Sequence, residues 1–166
     1  MSAAGLDPQV RATLERGGVP WEVVACEPAL ADTANFVQAY GYALEDSANT
    51  IVVIGKSEPP RYVACVVLAN TRLDVNRAVK RKLGVRASFA SAEDVERLTG
   101  MTLGGVTPFG LGDMPVWIDA RVMARAKIIL GGGNRSCKIL APPRVLLSLP
   151  QVEIVEGLAL DAAERP

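Results

Sequence analysis

The chain has 166 residues, 49% hydrophobic and 22% charged, which places it among folded globular proteins with one core rather than among disordered chains. Lysine plus arginine equals aspartate plus glutamate at 18 each, so no global field draws nucleic acid, and any such contact must come from a local patch. There is no histidine, which removes histidine general bases, Ser-His-Asp triads, Cys-His dyads and most zinc sites.

In chain order, DPQVRATLERGG predicts a short helix capped by Asp7, with Pro8 at its first position and Gly17-Gly18 as its stop. WEVVACEP reads as a strand. ADTANFVQAYG sets Ala34, Val37 and Tyr40 at helical spacing and stops at Gly41. TIVVIG and RYVACVVLA are β-branched apolar runs joined by the turn-forming KSEPP, which predicts a hairpin. LDVNRAVKRKLG predicts a helix capped by Asp74, with Val75, Ala78, Val79 and Leu83 on one face and Gly84 as the stop. ASFASAEDVERLTG predicts a short strand, then a helix capped at Ser91 with Asp94 three residues on. After a glycine-rich stretch, MPVWID and AKIIL read as strands, GGGN as a turn, and SCKILA as a strand. PPRVLLSL reads as a helix opened by proline, and QVEIVEGL as the last strand. With no repeat or linker, residues 1–166 are expected to form a single α+β domain: a mixed, curved β-sheet or barrel-like core with helices packed outside.

Cys26, Cys65 and Cys137 lie in apolar runs with no C-x-x-C pair, so they are expected to be buried, reduced thiols. The first ten residues lack a basic start and an apolar h-region, and no apolar run reaches the roughly 20 residues of a membrane span. A cytoplasmic chain without membrane contact is expected. GKS at 55–57 is not a phosphate-binding loop, because Thr50 stands where that motif needs glycine. GGGNRS at 131–136 fails as a dinucleotide fingerprint, because Ser136 replaces its last glycine and a strand follows.

The densest basic cluster is Arg77, Lys80, Arg81 and Lys82, which fits either a solvated helix face or a weak phosphate-contacting patch. Asp74 reads as a helix cap, while Asp119 at a strand end is ambiguous. Residues 99–119 hold five glycines and two prolines. Within them GGVTPFG fits a structural turn or a loop whose backbone approaches a ligand, with Gly104 and Gly105 free of Cβ, Thr107 adding a hydroxyl and Pro108 stiffening the exit.

In order and spacing these pieces resemble the YbaK/ProX family of aminoacyl-tRNA editing domains. The resemblance spans about residues 5–157 and rests on ADTANFVQAYGYALEDSANTIVVIG, VACVVLANTRLDVNRAVKRKLG, ASFASAEDVERLTG, GGVTPFG, PVWID and AKIILGGGNRSCKILAPPRVLLSL. It implies trans-editing, the hydrolysis of the ester joining a wrong amino acid to a tRNA, usually tRNA(Pro). No cofactor or metal is implied. Aminoacyl-tRNA is the implied partner, with a synthetase as a further one, on a monomer or weak homodimer.

The family's G-x-x-x-P loop falls on Gly104, Gly105, Val106, Thr107 and Pro108, where backbone amides would hold the aminoacyl carbonyl and terminal adenosine. Its glycine turn falls on Gly131, Gly132 and Gly133 with Arg135 after it, and Asp119 matches the aspartate ending the central strand. Arg77, Lys80 and Arg81 would serve as tRNA phosphate contacts. The family's lysine before Thr-Leu-Val is here Asn49, followed by Thr50. Losing a charge-assisted bond there costs on the order of 1.5–3 kcal/mol. Lys56, at the far end of the strand and roughly 23 Å away at about 3.3 Å per residue, does not reach Asn49. Two functions are therefore carried: a deacylase with no side-chain base, or a weakened module that binds an aminoacyl or nucleotide-like ligand or a synthetase.

Overall fold

The β-branched runs on either side of KSEPP form the centre of the protein. In the computed structural model, which describes residues 5–162, they are β2 (Ala48–Gly55) and β3 (Arg61–Leu68), paired antiparallel along their whole length. Alternate residues serve opposite faces. Ala48, Val52, Ala64 and Val66 join one buried cluster, and Val53, Val63, Cys65 and Val67 join another. A strand pair buried on both sides needs such continuous apolar runs.

β5 (Ala87–Phe89) flanks β2, while β6 (Val116–Asp119) and β9 (Val152–Val155) extend the sheet beyond β3 by parallel pairing. The five-stranded sheet is therefore mixed, in the order β5-β2-β3-β6-β9. A second sheet holds β1 (Glu22–Ala25), β8 (Cys137–Ala141) and β7 (Ile128–Gly131), in that order. An isolated parallel bridge from Ser47 to Ile129 joins the two sheets. The core curves without closing, so the sheet form of the expected architecture applies rather than a barrel.

The helices follow their caps. Asp7 accepts from the amides of Gln9 and Val10 to start α1 (Pro8–Gly17), and Gly18 ends it at φ 66°. α2 (Thr33–Tyr40) ends at Gly41, and α4 (Ala92–Thr99) starts where Ser91 accepts from the Asp94 amide. The helix expected after Asp74 is two pieces, a π-helical turn (Val75–Val79) and α3 (Lys80–Leu83). Its buried Val75, Val79 and Leu83 keep the expected face. PPRVLLSL forms a 3₁₀ helix (Pro143–Ser148) rather than an α-helix. The sequence reading missed α5 (Ala120–Met123) and the two-stranded ribbon of β4 (Thr71–Leu73) and β10 (Ala159–Asp161). Three-residue strands carry too few alternations to show a period.

All three cysteines are free and buried, as expected. Burial pushes the Cys65 thiol up to about 12, so it is no nucleophile at neutral pH.

Candidate functional site

The glycine stretch between α4 and β6 is pinned, not slack. The Gly105 amide donates to the Thr102 carbonyl at 2.9 Å, and the Gly105 carbonyl accepts from the Gly133 amide at 2.6 Å. Val106, Thr107 and Pro108 are buried, and Phe109 is completely enclosed in the main core cluster. The loop crosses over the end of β7, and glycine is required on both sides of that crossing. A Cβ on Gly105 would overlap the Asn134 carbonyl, and one on Gly131 would overlap the Val106 carbonyl. Gly104, at φ 91°, also needs the left-handed region. GGVTPFG is thus both a structural turn and a close-approach loop, the approach being first to the GGGN turn.

Under this loop lies a cavity of about 300 Å³ lined by Asp32, Thr33, Asn49, Thr50, Leu103, Gly104, Val106, Gly131 and Lys138, among others. The Asn49 side-chain oxygen accepts from the Thr33 hydroxyl at 2.8 Å. The Thr50 hydroxyl is buried with no partner among the described residues. The amides of Gly104 and Val106 likewise donate to no protein acceptor among the described residues. Unspent donors in a cavity wall suit a ligand oxygen.

Lys138 was not anticipated. SCKILA reads only as a strand, and nothing in it shows that the lysine lies under Phe36 of α2 and the glycine loop. Lys138 is 7% exposed, the one buried cation among the described residues. Its ammonium donates to the Ala31 carbonyl at 2.6 Å and the Gly104 carbonyl at 2.8 Å, and lies 5.5 Å from the centre of the Phe36 ring. Burial pulls its pKa below the ordinary lysine range, with Cys26 opposing that shift and Arg135 adding to it.

Arg135 clamps the rim, donating to the carbonyls of Pro28 and Leu103 and to the Asp32 carboxylate at 3.0 Å. It holds the loop to the entry of α2. Gly132 and Gly133 shape the turn behind: a Cβ on Gly132 would overlap the Cys137 sulfur, and Gly133 has φ 98°. Pro108 lines a small separate crevice with Gln9 and Gly110.

Asp119 lines none of these cavities. It is fully buried, and one carboxylate oxygen accepts from the amides of Leu158 at 3.1 Å and Ala159 at 3.4 Å, tying the turn before β10 to the end of β6. Burial raises its pKa, opposed by those amides and by Arg121. A carboxyl raised in the folded state binds protons more readily folded than unfolded, so its contribution to stability falls as pH rises through that window. Asp119→Ala strands two buried amides and is expected to lower the unfolding free energy by about 3 kcal/mol. Urea denaturation checks this; an unchanged midpoint would contradict the tie.

A second, larger cavity of about 550 Å³ opens on the other side of Asn49 and Ile51, between β2, β5 and the π-helical turn. Arg77, Asn76 and the 59% exposed ring of Phe89 line it. Beyond it lies a basin walled by Lys56, Lys80 and Arg86 with no acidic residue in the wall. Of the expected phosphate contacts, Arg77 and Lys80 line these hollows, while Arg81 lines neither. Lys82 pairs with Glu153 instead. The grouping of Lys56 with Arg86 escaped the sequence reading because the two are distant in the chain; the Lys56 amide bonds the Arg86 carbonyl at 2.7 Å.

Fold and site together define an α+β domain in which a glycine loop and a buried lysine enclose a small polar cavity. The chain belongs to the aminoacyl-tRNA editing domain family, whose profile matches residues 27–149. It is 27% identical over 108 residues to the "Putative Cys-tRNA(Pro)/Cys-tRNA(Cys) deacylase EbsC" of Enterococcus faecalis (strain ATCC 700802 / V583), covering 64% of this chain and 65% of that one. It matches the crystal structure of "a putative trans-editing enzyme for prolyl tRNA synthetase" with TM-score 0.77 and 25% identity, over 92% of this chain and 98% of that one. A hypothetical protein shares the fold with TM-score 0.81 at 22% identity, over 91% of this chain and 99% of that one. Among the described residues, no helix is long and apolar enough to cross a membrane.

Proposed function

We propose that this protein hydrolyses the ester of mischarged aminoacyl-tRNA, with tRNA(Pro)-type substrates, in the cavity beneath residues 104–106. The observation that carries the reading is that two loop residues whose amides meet no protein acceptor among the described residues, Gly104 and Val106, line one 300 Å³ space together with a buried ammonium. Such donors favour an oxygen that gains negative charge.

In this reaction water adds to the ester carbonyl carbon and the carbonyl oxygen becomes an oxyanion facing those donors. The bond from that carbon to the ribose oxygen then breaks. The ribose oxygen takes up one proton of the attacking water, and the amino acid leaves as its carboxylate with release of the other. The mechanism uses no side-chain base, since Asp32, the carboxylate in the cavity lining, is paired with Arg135; water or the neighbouring ribose hydroxyl supplies the proton relay. The Gly105 amide is committed to Thr102, so the donors are those of Gly104 and Val106.

The larger cavity, with Phe89 to stack on a base and Arg77 to meet a phosphate, suits the nucleotides preceding the terminal adenosine. The basin of Lys56, Lys80 and Arg86 continues that track. Incubation with a panel of mischarged tRNAs tests the reading: amino acid should be released faster than in buffer from at least one of them, and release from none would refute it.

The weakened-module reading keeps the same cavity with binding alone, favoured by the neutral Asn49. A triple substitution, Lys56→Gln, Lys80→Gln and Arg86→Gln, separates tRNA from a small ligand. It is expected to flatten the log–log salt dependence of tRNA affinity by roughly 2, at about 0.7 per single-strand phosphate contact. Affinity for an aminoacyl-adenosine amide, too short to reach the basin, should stay the same. An unchanged salt slope would remove the basin from the tRNA path.

A further inference from the structure

The ammonium of Lys138 has more capacity than the fold uses. It carries three N–H donors, and two are spent on the carbonyls of Ala31 and Gly104. No carboxylate lies within ion-pair distance of it among the described residues. Asp32, the carboxylate among the groups acting on it, is paired with Arg135 at 3.0 Å. Withdrawing a charge from water is expensive, and a well-packed apolar side chain would serve the fold at least as well. The charge therefore points to a ligand.

Strand register says where that ligand would meet it. Ser47 bridges Ile129 in parallel, which brings the start of β2 against β7, and Gly131 at the end of β7 pairs with Lys138. Asn49, the bare Gly131 and Lys138 thus line one space. Asn49 and Lys138 line it from opposite sides, and the glycine loop passes over the gap between them. The position where the family resemblance expects a lysine holds a neutral amide, while the facing strand supplies a cation.

We propose that Lys138 is the substrate-contacting cation of this site, its remaining N–H donating to the ester carbonyl oxygen, so that the charge is delivered from β8 rather than from β2. This rests on the hydrolytic reading above. A second ammonium at position 49 would add a like charge to the same small cavity, which accounts for asparagine there.

Substitutions at both positions test it. Lys138→Met is expected to lower kcat/KM for release from mischarged tRNA about 10- to 150-fold, the range for a lost charge-assisted bond, mostly in kcat. Asn49→Lys should slow the wild type but restore at least about tenfold in the Lys138→Met background, an inversion that a purely structural lysine does not produce. The pH profile gives an independent reading, beginning with the wild type. The groups acting on Lys138 are Cys26 on β1, Asp32 before α2, Arg135 in the turn and Cys137 on β8. With burial lowering its pKa, the buffer-corrected rate should fall as pH rises through a value below the ordinary lysine range. That alkaline limb should persist in Cys26→Ala and vanish in Lys138→Arg, whose guanidinium stays charged.

A folded Lys138→Met with wild-type kcat/KM, no rescue by Asn49→Lys, or a limb that survives in Lys138→Arg would each overturn the assignment while leaving the deacylase reading intact. If the wild type releases amino acid from no tRNA, the deacylase reading fails. Binding of a non-hydrolysable 3′-aminoacylamino adenosine then decides for Lys138. At least about tenfold weaker binding by Lys138→Met supports the contact, and equal binding, or none by the wild type, overturns it.

Discussion

Gly105→Val is expected to lower kcat/KM for ester hydrolysis by at least about 100-fold, the scale on which a displacement of about 1 Å at a reacting centre is felt. The effect follows from backbone, not from a lost side chain. A Cβ at this position would overlap the Asn134 carbonyl, and a backbone atom in a tight turn cannot rotate away as a side-chain tip can. Relief requires the loop to lift off the GGGN turn, which breaks the Gly133-to-Gly105 bond and moves the neighbouring Gly104 carbonyl off the Lys138 ammonium. The two unspent amides flanking Gly105 move with it. Circular dichroism and thermal melting establish that the variant is folded, and single-turnover release of amino acid reads the effect. A folded Gly105→Val that turns over like the wild type would show that the loop does not hold the substrate. Gly105→Ala should lie in the same direction, because the first carbon already makes the overlap.

Phe109→Ala is expected to destabilise the protein by about 3–5 kcal/mol, the range for emptying a buried aromatic site. In a domain of this size that is a fall of roughly 6–20 °C in Tm. Phe109 is completely buried and belongs to the cluster formed by α1, the central sheet and the 3₁₀ helix. It is also the anchor of the glycine loop, four residues beyond the pinned Gly105. Stability and activity should therefore fall together, and activity should stay reduced at temperatures where the variant is fully folded. A shift of less than about 1 kcal/mol would mean that the loop is not anchored through this ring.

These two residues show what was legible in the sequence. Gly105 and Phe109 sit in a motif whose glycines and prolines announced a constrained backbone, and the flanking caps at Ser91 and Asp74 located the helices around it. The central hairpin was legible because β2 and β3 are buried on both faces and read as unbroken apolar runs. Lys138 was not legible. Its neighbours Cys137 and Ile139 alternate correctly for a half-buried strand, and nothing local says that Phe36 and Gly104, far away in the chain, cover the other face. Asp119 shows the same limit in reverse: a carboxylate at a strand end has one meaning if it faces a cavity and another if two later amides close on it. The π-helical turn kept the spacing of Val75, Val79 and Leu83, so the pattern was right while the local geometry differed. The basic basin is assembled by folding from Lys56, Lys80 and Arg86, of which the charge run in the sequence holds only Lys80.

The cavity, the glycine loop and the buried ammonium acquire one meaning if the protein edits, that is, if it removes a wrong amino acid and spares the right one. The measurement that tests this most directly is the initial rate of amino-acid release from mischarged alanyl- and cysteinyl-tRNA(Pro), set beside correctly charged prolyl-tRNA(Pro) and a buffer blank. Release from at least one mischarged tRNA should exceed both the blank and the prolyl ester by about tenfold or more. Equal rates for mischarged and prolyl esters, or no release above the blank from any of them, would contradict it.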